Sequence, residues 1–284
     1  MTTPQNIGLL NPGNMGACVG ATLFNGGHNV YWVAANRSQA TRSRAERLGL
    51  KEVATLEQLC SMVEYIFSVC PPHAAETQAD AVMAAGFTGT FVEANAISPQ
   101  RCEQIAQRVT AAGATFVDGG IIGLPTDKPG ETWMHLSGDR AQVIASMFAA
   151  GPMETNVVGP LPGQASALKM CYAAYRKGTT ALIAAVLGAA EAMQVRDHLE
   201  KQWSDHWPGF VEESHARITG VTAKAWRFIG EMQEIAATLE HAGQPGGFHR
   251  AAEEIYARMA GFKDAAVKPA LEEVLAALTD GQHS

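Results

Sequence analysis

Glycines and arginines near the start of the chain have the types and spacing needed to bind a phosphorylated ligand. In the stretch "IGLLNPGNMG", Gly13 and Gly16 follow a short apolar run and precede a helix-like segment. Glycines in such a strand–turn–helix loop permit a tight turn and let backbone N–H groups approach a pyrophosphate at the positive end of the helix. The pattern therefore predicts a dinucleotide-binding loop. The residues expected to contact the cofactor are Asn11, Pro12, Gly13, Asn14 and Met15.

The loop departs from the usual glycine pattern at its first position, where Asn11 stands. Asparagine is the non-glycine residue best able to adopt left-handed backbone angles, so we expect Asn11 to make the turn in place of glycine. Pro12 then fixes one φ angle and donates no hydrogen bond. For this motif alone, the alternative is an ordinary strand-to-helix turn that binds nothing.

The second strand-like run indicates which dinucleotide fits. The stretch "NVYWVAANRS" ends without the Asp or Glu that binds the ribose hydroxyls of NAD, and it carries Arg37 and Ser38 instead. A cation at this place suits the adenosine 2′-phosphate, so we predict NADPH or NADP+ in preference to NAD. Arg42 and Arg44 follow, and they belong either to the same cluster or to a solvated helix face.

These residues need a scaffold that brings them together, and the first half of the chain predicts one. Short β-like runs alternate with helix-like segments, which favours a parallel sheet with crossover helices. The runs are "NIGLL", "NVYWVA", "EYIFSVC", "GTFVEA", "ATFVDGG", "TWMHLSG" and "ETNVVG". The fold class is therefore α/β, with a Rossmann-type parallel-sheet domain followed by an all-α C-terminal domain.

The character of the chain changes after "GPLPG", where Ala-, Leu- and Glu-rich stretches replace the β-branched runs. We predict a dinucleotide-binding domain over residues 1–162 and a helical substrate or dimerisation domain over residues 163–284. One long helix is expected from Gln164 to Val195 and another from about Val211 to His241. The stretch "AGQPGG" is expected to end the second of these helices.

Four stretches of the chain resemble motifs of the β-hydroxyacid dehydrogenase superfamily, which includes 6-phosphogluconate dehydrogenase, 3-hydroxyisobutyrate dehydrogenase and the imine reductases. They are "NPGNMG", "VEANAISP", "VDGGIIGLP" and "GQASALKMCYA", and the resemblance covers nearly the whole chain in order. The fourth resembles the family's G-x-x-G-x-x-x-K-x-x-x-N helix, which implies that Lys169 is the catalytic lysine. The chain is similar to a sparsely characterised branch whose C-terminal domain has no assigned function.

The chain departs from the family at several substrate-binding positions. Asn95 and Ala96 replace a Ser–Thr pair, Ile122 stands at the place of a serine, and Ala173 at that of an asparagine. The substrate contacts predicted from these motifs are Asn95, Gly120, Ile121, Ile122, Gly123 and Arg176. Further cofactor contacts are predicted at Cys70, Pro71 and Asn95.

Lys169 has the chemistry that hydride transfer to or from nicotinamide requires. A lysine in a poorly solvated cleft exchanges the proton of the substrate oxygen, since burial lowers its pKa. On a helix, Tyr172, Arg176 and Thr180 share its face, and we expect this stripe to line a cleft between the domains. Tyr172 is the predicted replacement for the missing asparagine, and Arg176 or Lys177 the holder of an anionic group. The alternative is a solvated helix face.

Composition limits the partners. The net charge is −7 and the pI about 5.7, which gives no reason to expect a nucleic acid as the main partner. The five cysteines form no C-x-x-C pair, so we predict a reduced, cytoplasmic protein. No histidine cluster has metal-ligand spacing, so we predict no catalytic metal. The sequence contains no apolar segment that is long enough to predict a membrane span. The long apolar helix favours a homodimer.

The leading hypothesis is an NADP(H)-dependent oxidoreductase that interconverts a small hydroxy acid, or a sugar acid, with its keto form, and Lys169 is the general acid–base. Three alternatives stay open: an imine reductase, oxidative decarboxylation of a β-hydroxyacid with Glu231 as the proton donor, and a non-catalytic sensor that binds NADPH. The expected substrate is a small carboxylate.

Overall fold

The protein is described by a computed structural model over residues 3–279. Two compact units are present, the first reaching Met170 and the second starting at Cys171. The domain boundary predicted after residue 162 stays a prediction.

The first unit is built on one sheet. Its strands are β1 (Asn6–Leu9), β2 (Asn29–Val33), β3 (Lys51–Val53), β4 (Tyr65–Ser68), β5 (Thr90–Glu93), β6 (Thr115–Gly123), β7 (Thr132–Ser137) and β8 (Met153–Gly159). Its helices are α1 (Asn14–Asn25), α2 (Gln39–Arg47), α3 (Leu56–Met62), α4 (Ala75–Ala84), α5 (Pro99–Ala111) and α6 (Ala141–Ser146). The strand order is β3-β2-β1-β4-β5-β6-β7-β8, so the predicted alternation of strands and helices is confirmed.

Apolar side chains pack on both faces of this sheet. One core includes Ile7, Trp32 and Phe67, and the other includes Ile66 and Phe91. Neighbouring residues of one strand thus point into different cores, which explains why the strand sequences are apolar throughout rather than alternating.

Two features of the sheet differ from the prediction. The three-residue strand β3 was not expected, since the sequence "KEV" carries two charges and lies at the sheet edge. Strand β7 is antiparallel to β6, whereas all other neighbours are parallel. Residues 124–131, which join the two strands, contain no crossover helix, and a parallel pairing needs a longer connection.

The order in which successive strands are added to the sheet reverses beside β1. Strands β2 and β3 extend to one side of β1, and β4 begins the series on the other side. In sheets of this kind, ligands bind in the crevice at the carboxyl ends of the strands at this reversal point. The segments that follow β1, β2, β4 and β5 are therefore the places to look for a site.

The second half of the chain is helical. Its helices are α7 (Gln164–Ala192), α8 (Arg196–His206), α9 (Phe210–Val221), α10 (Ala225–His241), α11 (Gly247–Arg258) and α12 (Leu271–Thr279). The long helix predicted from Gln164 is confirmed as α7, and "AGQPGG" separates α10 from α11 as expected. Among the described residues, no helix combines the length and the apolar character needed to cross a bilayer.

The single long helix predicted over residues 211–241 is wrong. A short 3-10 turn at Thr222–Lys224 divides it into α9 and α10. At this break the hydroxyl of Thr222 donates to the carbonyl of Thr219, and the hydroxyl of Thr219 donates to the carbonyl of His215. Threonine side chains that bond to nearby carbonyls compete with the helical backbone, a local effect that apolar spacing does not reveal.

Candidate active site

The glycine-rich loop between β1 and α1 is tightly folded. The N–H of Gly13 donates to the carbonyl of Asn11 over 2.8 Å, and Gly13 is the N-cap of α1. A Cβ atom on Gly16 would overlap the carbonyl oxygen of Asn11, so only glycine fits there. A Cβ atom on Gly13 would meet nothing within 4 Å. The loop thus packs tightly against the Asn11 carbonyl at Gly16, whereas Gly13 faces open space. This space leaves room for a ligand beside the helix N-terminus.

The expected left-handed conformation of Asn11 is wrong. Among residues 3–279, the non-glycine residues with positive φ are Asn36, Gln194 and Asp264. Asn11 takes part in the turn through its carbonyl oxygen, which accepts from Gly13, and needs no left-handed angle. The asparagine with positive φ is instead Asn36, directly before Arg37, where the chain leaves β2.

Two buried donors at this loop lack a partner among the described residues. They are Nδ2 of Asn11 and Nε of Arg37. A buried donor without an acceptor is costly, and an anion with several oxygens would satisfy such groups. Together with the open side of Gly13, these donors fit the phosphates of a dinucleotide.

Arginines from the segment after β2 reach the glycine-rich loop. Arg37 donates from Nη2 to the carbonyl of Leu10 over 3.3 Å, and Arg44 donates from Nη1 to the carbonyl of Pro12 over 3.1 Å. Ser38 is the N-cap of α2, and its hydroxyl accepts from the N–H of Thr41. The predicted cofactor residues 11–15, 37 and 38 therefore lie along one edge of the first unit. Asn14 is exposed there, and Met15 packs against the adjoining core.

The carboxyl ends of β4 and β5 are joined by a buried polar cluster around Asn95. Its Oδ1 accepts from the backbone N–H of Cys70, and its Nδ2 donates to the hydroxyl of Ser68 over 3.1 Å. The side chain of Asn95 thus already holds the segment at Cys70, with Pro71 exposed next to it. Burial raises the pKa of the Cys70 thiol to about 12, and the nearby Glu93 carboxyl adds to this effect, so this cysteine stays a neutral thiol.

Glu93 completes this cluster and is 1% exposed. Its Oε1 accepts from the backbone N–H of Asn95 over 3.0 Å, and its Oε2 is buried without a partner in the part of the chain that the structure describes. Burial raises the pKa of this carboxyl from 4.5 to about 8, in spite of the hydrogen bonds from Asn95, and Asp118 on the neighbouring strand raises it further. Glu93 is therefore mostly a neutral carboxylic acid at pH 7.

Replacing Glu93 by glutamine is expected to change how stability depends on pH. Between pH 4.5 and about 8 the unfolded chain releases the Glu93 proton and the folded protein keeps it, so the free energy of unfolding falls as pH rises. Glu93→Gln keeps an acceptor for Asn95 and cannot ionise. From about pH 5 to 8, the free energy of unfolding of the variant should therefore rise by about 3 kcal/mol relative to that of the wild type. Urea unfolding at each pH measures this difference.

Glu76 provides a control of opposite sign for this experiment. Its carboxyl accepts a hydrogen bond from Arg101, which lowers its pKa. Glu76→Gln should lose stability relative to the wild type as pH rises from the lowered pKa of Glu76 to the ordinary pKa of a glutamate, and the difference should then stay constant from about pH 5 to 8. A constant difference between Glu93→Gln and the wild type at every pH would contradict the account of Glu93.

Asp118 anchors the beginning of α7. Its carboxylate accepts from the N–H of Ser166 over 2.9 Å and from the Ser166 hydroxyl over 2.7 Å. The hydroxyl of Ser137 donates to the same carboxylate and accepts from the N–H of Ala165. A helix begins with unpaired N–H groups and a positive dipole end, so a buried carboxylate there fixes its position. Lys169 follows one turn later.

Lys169 lies against β6. Its Nζ donates to the carbonyl of Ile121 over 2.6 Å. A Cβ atom on Gly120 would come within 3.1 Å of the Cβ of Lys169, so this glycine allows the helix to approach the strand. Ile122 is half-buried, and Gly123 is exposed with a φ of +126°. The predicted substrate segment 120–123 is thus the strand on which Lys169 rests.

His135 is a further titratable group beside Lys169. It pairs with Gly120 across β6 and β7, and its ring stacks on Trp133 with centroids 6.4 Å apart. Burial lowers the pKa of His135, and the positive charge of Lys169 lowers it further. The imidazole is therefore neutral at pH 7, and no sequence motif indicated its place.

The remaining predicted residues belong to the second unit. Tyr172 is 46% exposed and Arg176 is also exposed, so the cleft predicted for them stays a prediction. Lys177 forms an ion pair with Glu231, and both side chains are largely buried. The role of Glu231 as a proton donor in decarboxylation stays a prediction.

Sequence reasoning missed the groups that position the site. Asp118, Ser137, Ser166 and Glu93 hold α7 and Asn95 in place, and none was predicted. The available signal was the presence of polar residues inside apolar strands, in "VEAN" and "FVDGG". Within residues 3–279 no group of three or more His, Cys, Asp or Glu side chains is arranged to hold a metal ion.

Two family models match the chain. Residues 6–144 match the NAD binding domain of 6-phosphogluconate dehydrogenase, and residues 190–259 match a domain of unknown function, DUF1932. A mitochondrial 3-hydroxyisobutyrate dehydrogenase of Drosophila melanogaster is 23% identical over 198 residues, which are 67% of this chain and 58% of that protein. The chain thus spans somewhat over half the length of this relative.

Several solved structures share the fold. The conserved protein MTH1747, of unknown function and similar to 3-hydroxyacid dehydrogenases, is 25% identical with a TM-score of 0.68, over 90% of this chain and 97% of that one. The 3-hydroxyisobutyrate dehydrogenase of Mycobacterium tuberculosis is 16% identical with a TM-score of 0.72, over 97% and 99%. An imine reductase of Streptomyces aurantiacus is 21% identical with a TM-score of 0.54, over 95% and 98%.

Proposed function

Because the chain belongs to the 6-phosphogluconate dehydrogenase-like superfamily through the NAD(P)-binding domain of residues 6–144, we propose that it is an NADP(H)-dependent oxidoreductase. The proposed reaction interconverts the hydroxyl and keto forms of a small hydroxy acid or sugar acid. Lys169 acts as the general acid–base. The observation that carries this proposal is the buried anchor at Asp118, which fixes α7 so that Lys169 lies on β6.

The glycine-rich loop and its arginines would hold the cofactor. The open side of Gly13 admits a pyrophosphate, and the unpartnered Nδ2 of Asn11 suits its anionic oxygens. Arg37 is the proposed partner of the adenosine 2′-phosphate. When bound, the nicotinamide supplies or accepts the hydride.

Lys169 supplies the proton chemistry that accompanies this transfer. In the reducing direction, its ammonium gives a proton to the substrate oxygen as the carbonyl carbon receives the hydride; in the oxidising direction its amine takes the hydroxyl proton. The carbonyl of Ile121 accepts from Nζ and so orients the group. A helix anchored at its first turn keeps this orientation, which is what an acid–base residue needs.

A panel of substrates tests the proposed function. The purified protein is incubated with NADPH or NADP+ and with keto acids, hydroxy acids or cyclic imines, and the nicotinamide absorbance is followed. Turnover of a keto acid or a hydroxy acid supports the proposal. Turnover of imines alone assigns an imine reductase, and cofactor binding without any turnover assigns a sensor.

The predicted homodimer stays a prediction, which the mass of the protein in solution checks.

Replacing Arg37 by glutamine is expected to remove the preference for NADPH. The guanidinium is the proposed partner of the 2′-phosphate, which NADH lacks, so affinity for NADPH should fall by about 10- to 100-fold while that for NADH stays nearly constant. Fluorescence titration with each nucleotide measures both affinities. Equal losses for the two nucleotides would contradict the assigned role of Arg37.

A further inference from the structure

The turn before α1 is held from outside by an arginine that motif reasoning left undecided. Arg44, in the last turn of α2, donates from Nη1 to the carbonyl of Pro12 over 3.1 Å. Arg44 is half-buried and Pro12 is buried, so this bond is partly shielded from water. Charge-assisted hydrogen bonds of this kind are stronger than those between neutral groups.

The composition of the turn explains why it needs such a bond. Asn11 replaces the first glycine of the motif, and Pro12 has no N–H to donate. The N–H of Gly13 donates to the carbonyl of Asn11 and closes the turn, while that carbonyl also lies against Gly16. Arg44 supplies a charged donor to the carbonyl of Pro12, at the point where the loop must keep its shape.

We propose that Arg44 is a positioning residue that braces the Asn11–Pro12 turn for the pyrophosphate, and that recognition of the 2′-phosphate belongs to Arg37 alone. This inference rests on the proposed dinucleotide site. Arg44 contacts the loop rather than the adenosine end, so it contributes equally to NADPH and NADH. The two arginines thus separate two properties of the site, namely the strength of dinucleotide binding and the choice between the two nucleotides.

Arg42 is a matched control on the same helix. Its Nη2 donates to the carbonyl of Ala34 over 2.7 Å, and its Nη1 lies 3.6 Å from Glu52. Both partners lie beyond the glycine-rich loop, in the β2–β3 region. Arg42→Gln removes the same charge from the same helix and leaves the bond between Arg44 and Pro12 in place.

The test compares the affinities for NADPH and NADH in four proteins by fluorescence titration: the wild type, Arg44→Gln, Arg44→Lys and Arg42→Gln. Arg44→Gln should lower the affinities for NADPH and NADH by about tenfold each, so that the ratio of the two affinities is unchanged. Arg44→Lys, which keeps a charged donor and also serves if the glutamine variant fails to fold, should lose less, again equally for both. Arg42→Gln should bind as the wild type does.

The outcomes separate this inference from the proposed function. A loss confined to NADPH would place Arg44 on the 2′-phosphate and overturn the proposed role. Unchanged binding in Arg44→Gln, or an equal loss in Arg42→Gln, would overturn it too. If the wild type binds neither nucleotide, the proposed function fails, and this inference fails with it.

Discussion

Replacing Lys169 by alanine is expected to lower kcat by about 10²- to 10⁴-fold, the usual contribution of a general acid–base. The variant removes the only group proposed to exchange a proton with the substrate oxygen. NADPH affinity should stay within about twofold of the wild type, because the cofactor residues lie on the glycine-rich loop and after β2 rather than at Lys169. Steady-state kinetics and fluorescence titration measure the two quantities.

Lys201→Ala is the control for this variant. Lys201 is an exposed lysine on α8 whose ammonium pairs with Asp205, so its loss should leave both kcat and NADPH affinity unchanged. The role assigned to Lys169 fails if Lys169→Ala keeps wild-type turnover. It also fails if the whole loss of activity follows from weaker NADPH binding.

The second large effect is expected at Gly16. A methyl group there would overlap the carbonyl oxygen of Asn11, so Gly16→Ala must displace the loop or the start of α1. We expect the free energy of unfolding to fall by about 1–3 kcal/mol, as for other overpacked sites, and NADPH binding to be lost. Urea unfolding and fluorescence titration check both effects.

Gly13→Ala is the matched comparison for Gly16→Ala. The methyl group would point into open space, and the φ of −66° is one that alanine adopts freely. The variant should therefore fold with nearly wild-type stability and still bind NADPH more weakly, because the methyl occupies the place proposed for the pyrophosphate. Normal stability of Gly16→Ala would contradict the close packing at Gly16. Unchanged NADPH affinity of Gly13→Ala would contradict the pyrophosphate site proposed at Gly13.

Much of the fold was predictable because it depends on composition over short windows. Runs such as "EYIFSVC" are β-branched or aromatic and apolar on both faces, which is what a sheet covered by helices requires. The long apolar helix α7 was predicted for the same reason. The break at Thr222 and the antiparallel strand β7 were missed, since one depends on side-chain hydrogen bonds and the other on the length of a connection.

The site was predictable only where a motif fixes the backbone. Gly13 and Gly16 follow from the space that the loop needs, and Lys169 follows from the family resemblance. The roles of Asp118 and Glu93 depend on which strands are neighbours, and the bond of Arg44 depends on how α2 lies beside the β1 loop. These are contacts between residues distant in sequence, so no local pattern contains them.

We expect this chain to transfer a hydride between NADP(H) and a small hydroxy or keto acid, with Lys169 exchanging the proton. The most direct test uses NADPH deuterated at both C4 positions, a keto acid from the panel, and mass spectrometry of the product. The wild type should place deuterium on the carbinol carbon, and Lys169→Ala should bind the same NADPH and transfer almost none. NADPH bound by the wild type without transfer of the label to any keto acid would contradict the account.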